Sequence, residues 1–121
     1  MQESLNAKLT TEQIIDKLAS RFQPDQAEGL TVIYQFRLTD KFSFYIDINN
    51  QQCTTKREEH DDPNIVLTMH ETTFIALMTG KIDGMSAFMK GDLQAHGNVL
   101  LATSLSKLFK KKSSDTKKIR D

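Results

Sequence analysis

The sequence predicts an α+β fold, and three observations carry that prediction. Two segments, Leu30–Leu38 and Phe42–Ile48, alternate apolar and polar residues across a short turn. Segments of helical period open and close the chain. Between them, the stretch from Ile65 to Asn98 concentrates Met69, Met78, Met85 and Met89 with Gly80, Gly84, Gly91 and Gly97. Alternation marks half-buried strands, and recurrence at three and four marks an amphipathic helix. Met fills irregular apolar space, and Gly turns a chain or ends a helix.

Taken in order, Thr10 and Gln13 have the spacing of a capping box, in which each side chain serves the other's backbone N–H. Ile14, Ile15, Leu18, Ala19 and Phe22 then form one apolar helix face, and Pro24 ends it. Residues 1–9 are expected to be loosely ordered. Leu30, Val32, Tyr34, Phe36 and Leu38 alternate with Thr31, Gln35 and Arg37, with Ile33 the exception. Phe42, Phe44, Ile46 and Ile48 repeat the pattern after the turn Thr39-Asp40-Lys41. Asn49-Asn50 signals a second turn, followed by a polar third strand over 52–58 and a charged loop over 58–64.

Ile65, Leu67 and Met69 give a fourth strand. Phe74, Leu77 and Met78 fall on a short helix ending at Gly80, and His70 stands where that helix wants a cap. Asp83-Gly84 turns the chain into a second short helix with Ala87, Phe88 and Met89, closed by Gly91. Leu93 to His96 is a fifth strand. Leu101, Leu105 and Leu108, widened by Ala102 and Phe109, form a last helix of about 12 residues, roughly 18 Å long. Strands joined by tight turns pair antiparallel, with helices packed on one face.

Composition narrows the function. At 121 residues, with 38% apolar and 26% charged side chains, the chain is one globular domain. A single cysteine, Cys53, cannot make an internal disulfide and fits a reducing compartment. No apolar run approaches the ~18 residues of a membrane span, and the N-terminus lacks the apolar core of a secretory signal. A cytoplasmic protein is expected. Net charge is zero, but residues 110–121 hold six basic and two acidic side chains. A nucleic-acid binder would put such an excess on its folded part, so none is expected. The basic tail suits transient contact with an anionic membrane.

Catalytic signals are lacking. His60, His70 and His96 are scattered, without metal-ligand spacing. Cys53 has no base beside it, and the acidic run at 58–62 lacks the ordered spacing and central Gly of a calcium loop. No nucleophile elbow, dinucleotide fingerprint or P-loop occurs. The chain is expected to be no enzyme, with no cofactor and no metal.

The run Ala76-Leu77-Met78-Thr79-Gly80-Lys81, followed by Ser86-Ala87-Phe88-Met89, Lys90-Gly91, Leu93 and Gly97-Asn98, resembles the sterol carrier protein type-2 domain. The likeness extends over nearly all of residues 10–109. It departs at Asp92, where the family usually carries Lys, at His96, and at Ser106, where Gln is frequent. The triplet Ser106-Lys107-Leu108 is internal and is no peroxisomal address. The resemblance implies a five-stranded, mainly antiparallel sheet with helices over one face and an apolar tunnel between. It also implies non-catalytic binding and transfer of a fatty acid, acyl-CoA, sterol or other long-chain lipid. The residues expected to line the tunnel are Phe36, Phe44, Met78, Met85, Phe88, Met89, Leu101, Leu105 and Phe109. The other expectation is an interaction subunit, presenting a lipid intermediate to a partner enzyme or forming a homodimer with a filled core.

Overall fold

The computed structural model describes residues 10–109. The expectations for residues 1–9 and for the basic tail lie outside the described residues. Helix α1 (Thr11–Arg21) starts at the predicted capping box, with both reciprocal bonds formed: Gln13 N–H donates to Thr10 Oγ1 and Thr10 N–H to Gln13 Oε1. Phe22 caps its other end in an extended conformation instead of continuing the helix. A 3₁₀ turn (Pro24–Ala27) follows that the apolar pattern did not signal.

The five strands are β1 (Val32–Leu38), β2 (Ser43–Asn49), β3 (Gln52–Lys56), β4 (Ile65–Met69) and β5 (Leu93–Gly97). They form one sheet in the order β3-β2-β1-β4-β5. Three pairs are antiparallel, β1–β2 and β2–β3 through tight turns and β4–β5 across two helices, and β1 with β4 is parallel. The β2–β3 turn places Asn50 and Gln51 at φ 53° and 59°, the left-handed pair that matches the twist of a two-residue hairpin.

Register puts Tyr34 opposite Ile46 and Ile65, and Phe36 opposite Phe44 and Leu67. Strand neighbours share a face, so Val32, Tyr34, Phe36, Leu38, Phe44, Ile46, Ile48, Ile65, Leu67, Met69 and Leu93 point to one side. All of them are buried. Three helices join α1 there: α2 (Glu71–Met78), α3 (Gly84–Lys90) and α4 (Leu100–Leu108). The fold is thus α+β, with its apolar core between sheet and helices.

The other face carries a feature that alternation concealed. Gln35 is polar by type and 0% exposed. The link from β3 to β4 passes over it, and Gln35 Nε2 donates to the carbonyls of Phe44 (3.1 Å) and Glu58 (3.2 Å) while its Oε1 accepts from His60 N–H (2.7 Å). The His60 ring meets Tyr45 edge-on at 4.9 Å. This pinned crossover lets β4 enter beside β1 in parallel.

Gly97 ends β5 at φ +104°, where a Cβ would lie 2.6 Å from the Asn64 carbonyl oxygen. Only glycine permits that approach. It fixes where the sheet's edge stops and α4 begins.

Candidate functional site

Helix α2 lies beside α1, and their starts and ends are tied together. Thr11 Oγ1 donates to Glu71 Oε2 at 2.6 Å, and Lys41 Nζ reaches both Glu12 (3.5 Å) and Glu71 (3.4 Å). At the far end Arg21 donates to the Met78 carbonyl at 3.4 Å. His70 occupies the cap position of α2 but caps nothing. Asp40 Oδ1 supplies the cap by accepting from Glu71 N–H at 2.8 Å. That donation holds the Asp40 carboxyl below its ordinary value.

Helix α2 has almost no polar face. Phe74 is buried, and Ile75, Leu77 and Met78 are only partly covered, as is Ile82 in the following loop. Helix α3 starts at Asp83, whose Oδ1 accepts from Ser86 N–H at 2.7 Å, and closes at Gly91 with φ 85°. Its Ala87 is buried and the helix packs on β5. Helix α4 crosses to the 3₁₀ turn. Tyr34 Oη donates to the Leu101 carbonyl at 2.9 Å, Gln23 N–H to that of Leu108 at 2.8 Å, and Phe22 bridges to Phe109. Burial pushes the Tyr34 phenol up to about 12, so it stays a donor at neutral pH.

The residues proposed from sequence as a tunnel lining fall into three groups. Phe36 and Phe44 are fully buried and stack at 4.8 Å, with Phe74 edge-on at 5.7 and 5.5 Å. Phe109 is buried too, its ring 5.7 Å from Phe22. Met78, Leu101 and Leu105 are partly covered and pack against the core. Met85, Phe88 and Met89 are 64%, 52% and 76% exposed. A helix turns about 100° per residue, so Met85 and Met89 lie opposite the buried Ala87, while Phe88 stands on the flank. Sequence reasoning passed over Ile75, Ile82, Val99 and Leu100. The signal for the first was the unbroken run Phe74–Met78, which leaves α2 apolar on every side beyond its first turn.

What these groups can do chemically is bury a chain. The polar atoms among them are committed within the fold: Tyr34 Oη to Leu101, and Thr79 Oγ1 to the Ile75 carbonyl at 2.7 Å. Cys53 faces the helix side of edge strand β3, and burial with the nearby Asp47 charge pushes its thiol up to about 11, away from thiolate chemistry. Among the described residues no group of three or more His, Cys, Asp or Glu is placed to hold a metal ion, and no helix is long and apolar enough to cross a membrane.

Comparison with known proteins places this geometry. The model of the SCP-2 sterol transfer family matches residues 12–110. Sterol carrier protein 2 of Homo sapiens is 31% identical over 81 residues, which are 63% of this chain and 15% of that protein. The chain spans 11% to 22% of the length of the curated relatives it matches. Among solved structures, sterol carrier protein 2 of Yarrowia lipolytica superposes with a TM-score of 0.67 at 22% identity, over 79% of this chain and 86% of that one. Palmitated SCP2L2 of Aedes aegypti superposes with a TM-score of 0.63 at 17% identity, over 82% and 93%. These likenesses share the α+β layering described above, and with the family match over nearly all described residues the chain belongs to the SCP-2 sterol transfer family.

Proposed function

We propose that residues 10–109 form a non-catalytic lipid-binding unit that carries one long-chain lipid and hands it on. The observation that carries this reading is uneven burial. The aromatic floor of Phe36, Phe44 and Phe74 is closed, whereas Met78, Leu101 and Leu105 are only partly covered and Phe88, on the flank of α3, is half exposed. An acyl chain entering between α2, α3 and α4 would cover these side chains, with Phe36, Phe44 and Phe109 as its floor and end. Met85 and Met89 border that entrance from the outer side of α3. The palmitated state of the Aedes aegypti protein supports a fatty acid as the first ligand to try.

The magnitudes permit it. Burying a palmitoyl chain contributes about 12 kcal/mol at ~0.8 per methylene. Association and ordering cost roughly 4–15 kcal/mol. Net affinity then depends on how much of the lining is preformed, and non-directional burial favours a broad choice of acyl or isoprenoid lipid. The unpaired thiol of Cys53 supports placing the protein in the reducing cytoplasm.

Native mass spectrometry after incubation with palmitate tests the proposal. One palmitate per chain is expected, and Phe88→Asp is expected to abolish uptake with its circular dichroism unchanged. A folded Phe88→Asp protein that binds normally would overturn the lining, and an unaltered wild-type mass with fatty acid, acyl-CoA and sterol would overturn the carrier reading. A second reading is that the unit presents a lipid intermediate to a partner enzyme. The likeness in fold to UbiJ-SCP2, a ubiquinone synthesis protein, supports it. A stable partner in a pull-down, without co-purifying lipid, would select it.

A further inference from the structure

The large apolar side chains that stand exposed among the described residues are Met85, Phe88, Met89, Val99 and Leu100. Three of them belong to α3, and Met85 and Met89 lie one turn apart on its face opposite the buried Ala87. Val99 and Leu100 follow β5, the strand on which α3 packs. A ligand held between sheet and helices leaves the outward face of α3 uncovered. At roughly 150 Å² for each such side chain when free, the five leave about 500 Å² of apolar surface on one copy. Doubled across a two-fold contact, about 1,000 Å² is the least that a specific interface needs, and it suits a weak, reversible dimer.

The charges around this face are balanced. Lys81 and Asp83 stand at the start of α3, Lys90 and Asp92 at its end, and all four are exposed. Residues 72–109 carry three basic and two acidic side chains, a net of +1. A partner surface of one sign would repel half of the charges beside α3, whereas a second copy can match them. Lys81 and Asp92 stand six residues before and five residues after Ala87. A two-fold axis through the outward face at Ala87 runs one α3 antiparallel to the other. It sets Met85 against Met89 of the second copy and Lys81 against its Asp92, each contact occurring twice. Neither Lys81 nor Asp92 has an ion-pair partner among the described residues. Asp92 is also where the sequence departs from the family pattern, and a Lys there would face Lys81 in this arrangement.

We propose that the outward face of α3, joined by Val99 and Leu100, is the contact of a reversible two-fold dimer in which the two α3 helices run antiparallel. The proposal does not rest on the carrier reading. Sedimentation velocity of the full chain, from about 1 µM to about 500 µM, tests it. A monomer that passes to dimer across this range is expected. Met85→Ser with Met89→Ser keeps every charge, and its dimer Kd is expected to rise at least about tenfold. Lys81→Asp and Asp92→Lys each set like charges together and are each expected to raise Kd about threefold to tenfold. The two reversals combined restore opposite charges, and Kd is expected to return to within about twofold of wild type.

A wild type that stays monomeric throughout overturns the proposal, whether a lipid surface or chain outside residues 10–109 then covers the face. So does wild-type affinity in the Met85→Ser, Met89→Ser variant, shown to be folded by circular dichroism. Wild-type affinity in either charge reversal, or no recovery when the two are combined, overturns the antiparallel arrangement. Palmitate uptake, read by native mass spectrometry on the same proteins, keeps the two readings apart. Dimerisation without uptake supports the dimer and counts against the carrier, and uptake by a permanent monomer does the reverse.

Discussion

Single residues decide how firmly the two faces of the sheet are held. Gln35 joins β1, β2 and the β3–β4 crossover through one buried amide. Truncation to Ala leaves the His60 N–H and the Glu58 carbonyl without that partner, and the unmet buried groups cost about 1–3 kcal/mol. Gln35→Ala is therefore expected to lower stability by about 2 kcal/mol in urea titration. A loss within error would show that water replaces the amide. Tyr34 acts on the helix side, tying α4 to β1. Its phenol sits at about 12 in the fold and near an ordinary value of about 10 when unfolded. The unfolded chain then releases the proton first, so the contribution is complete below about pH 10 and is lost as pH climbs towards about 12. The urea midpoint is expected to fall more steeply across that window for wild type than for Tyr34→Phe. Parallel profiles would remove Tyr34 as the cause. Gln35 was legible from sequence only as a polar position. Alternation reports which side a residue faces, and the crossing loop that buries this one is non-local.

Elements were legible where their period was local. The capping box, the two alternating strands, the fourth strand and the Gly91 stop each depend on neighbours a few residues away, and each stands in the fold. The 3₁₀ turn, the parallel β1–β4 pairing and the Phe22–Phe109 bridge depend on residues distant in sequence. The cap of α2 shows the same limit. His70 holds the position, yet Asp40 reaches across from the β1–β2 turn to accept from Glu71 N–H. Asp40→Ala is expected to lower the thermal midpoint and loosen the start of α2, and His70→Ala to change it less. Because the Glu71 N–H donation depresses the Asp40 carboxyl, this support is present above the ordinary Asp range and is lost as pH falls through the lower folded value. Equal effects of the two substitutions would return the cap to His70. The ties between Lys41, Glu12 and Glu71 are partly exposed, so salt is expected to weaken them.

At the scale of the whole molecule, the sequence carried the family pattern and the apolar character of the site. It did not carry which apolar residues would be closed off. Phe36 and Met89 are both apolar residues next to polar ones, yet one is 1% and the other 76% exposed, because coverage is set by helices from elsewhere in the chain. That division makes a prediction about where a lipid acts. Strands β1, β2 and β4 are already closed over by the packed rings of Phe36, Phe44 and Phe74 and have little left to gain. Helices α2 and α4 hold part-covered apolar side chains, and α3 exposed ones, so these should be the low-stability part of the fold. A ligand that binds only the folded state adds about 2.7 kcal/mol at a hundredfold excess over Kd. With palmitate at that excess, the thermal midpoint is expected to rise and amide exchange to slow most at 75–90 and 100–105, with the central strands changing less. Slowing spread evenly over the sheet and helices would mean that palmitate stabilises the fold without occupying the space between α2, α3 and α4. Slowing confined to α3 would instead place the chain on the outward Met85 and Met89 face, and the interior site would have to be given up.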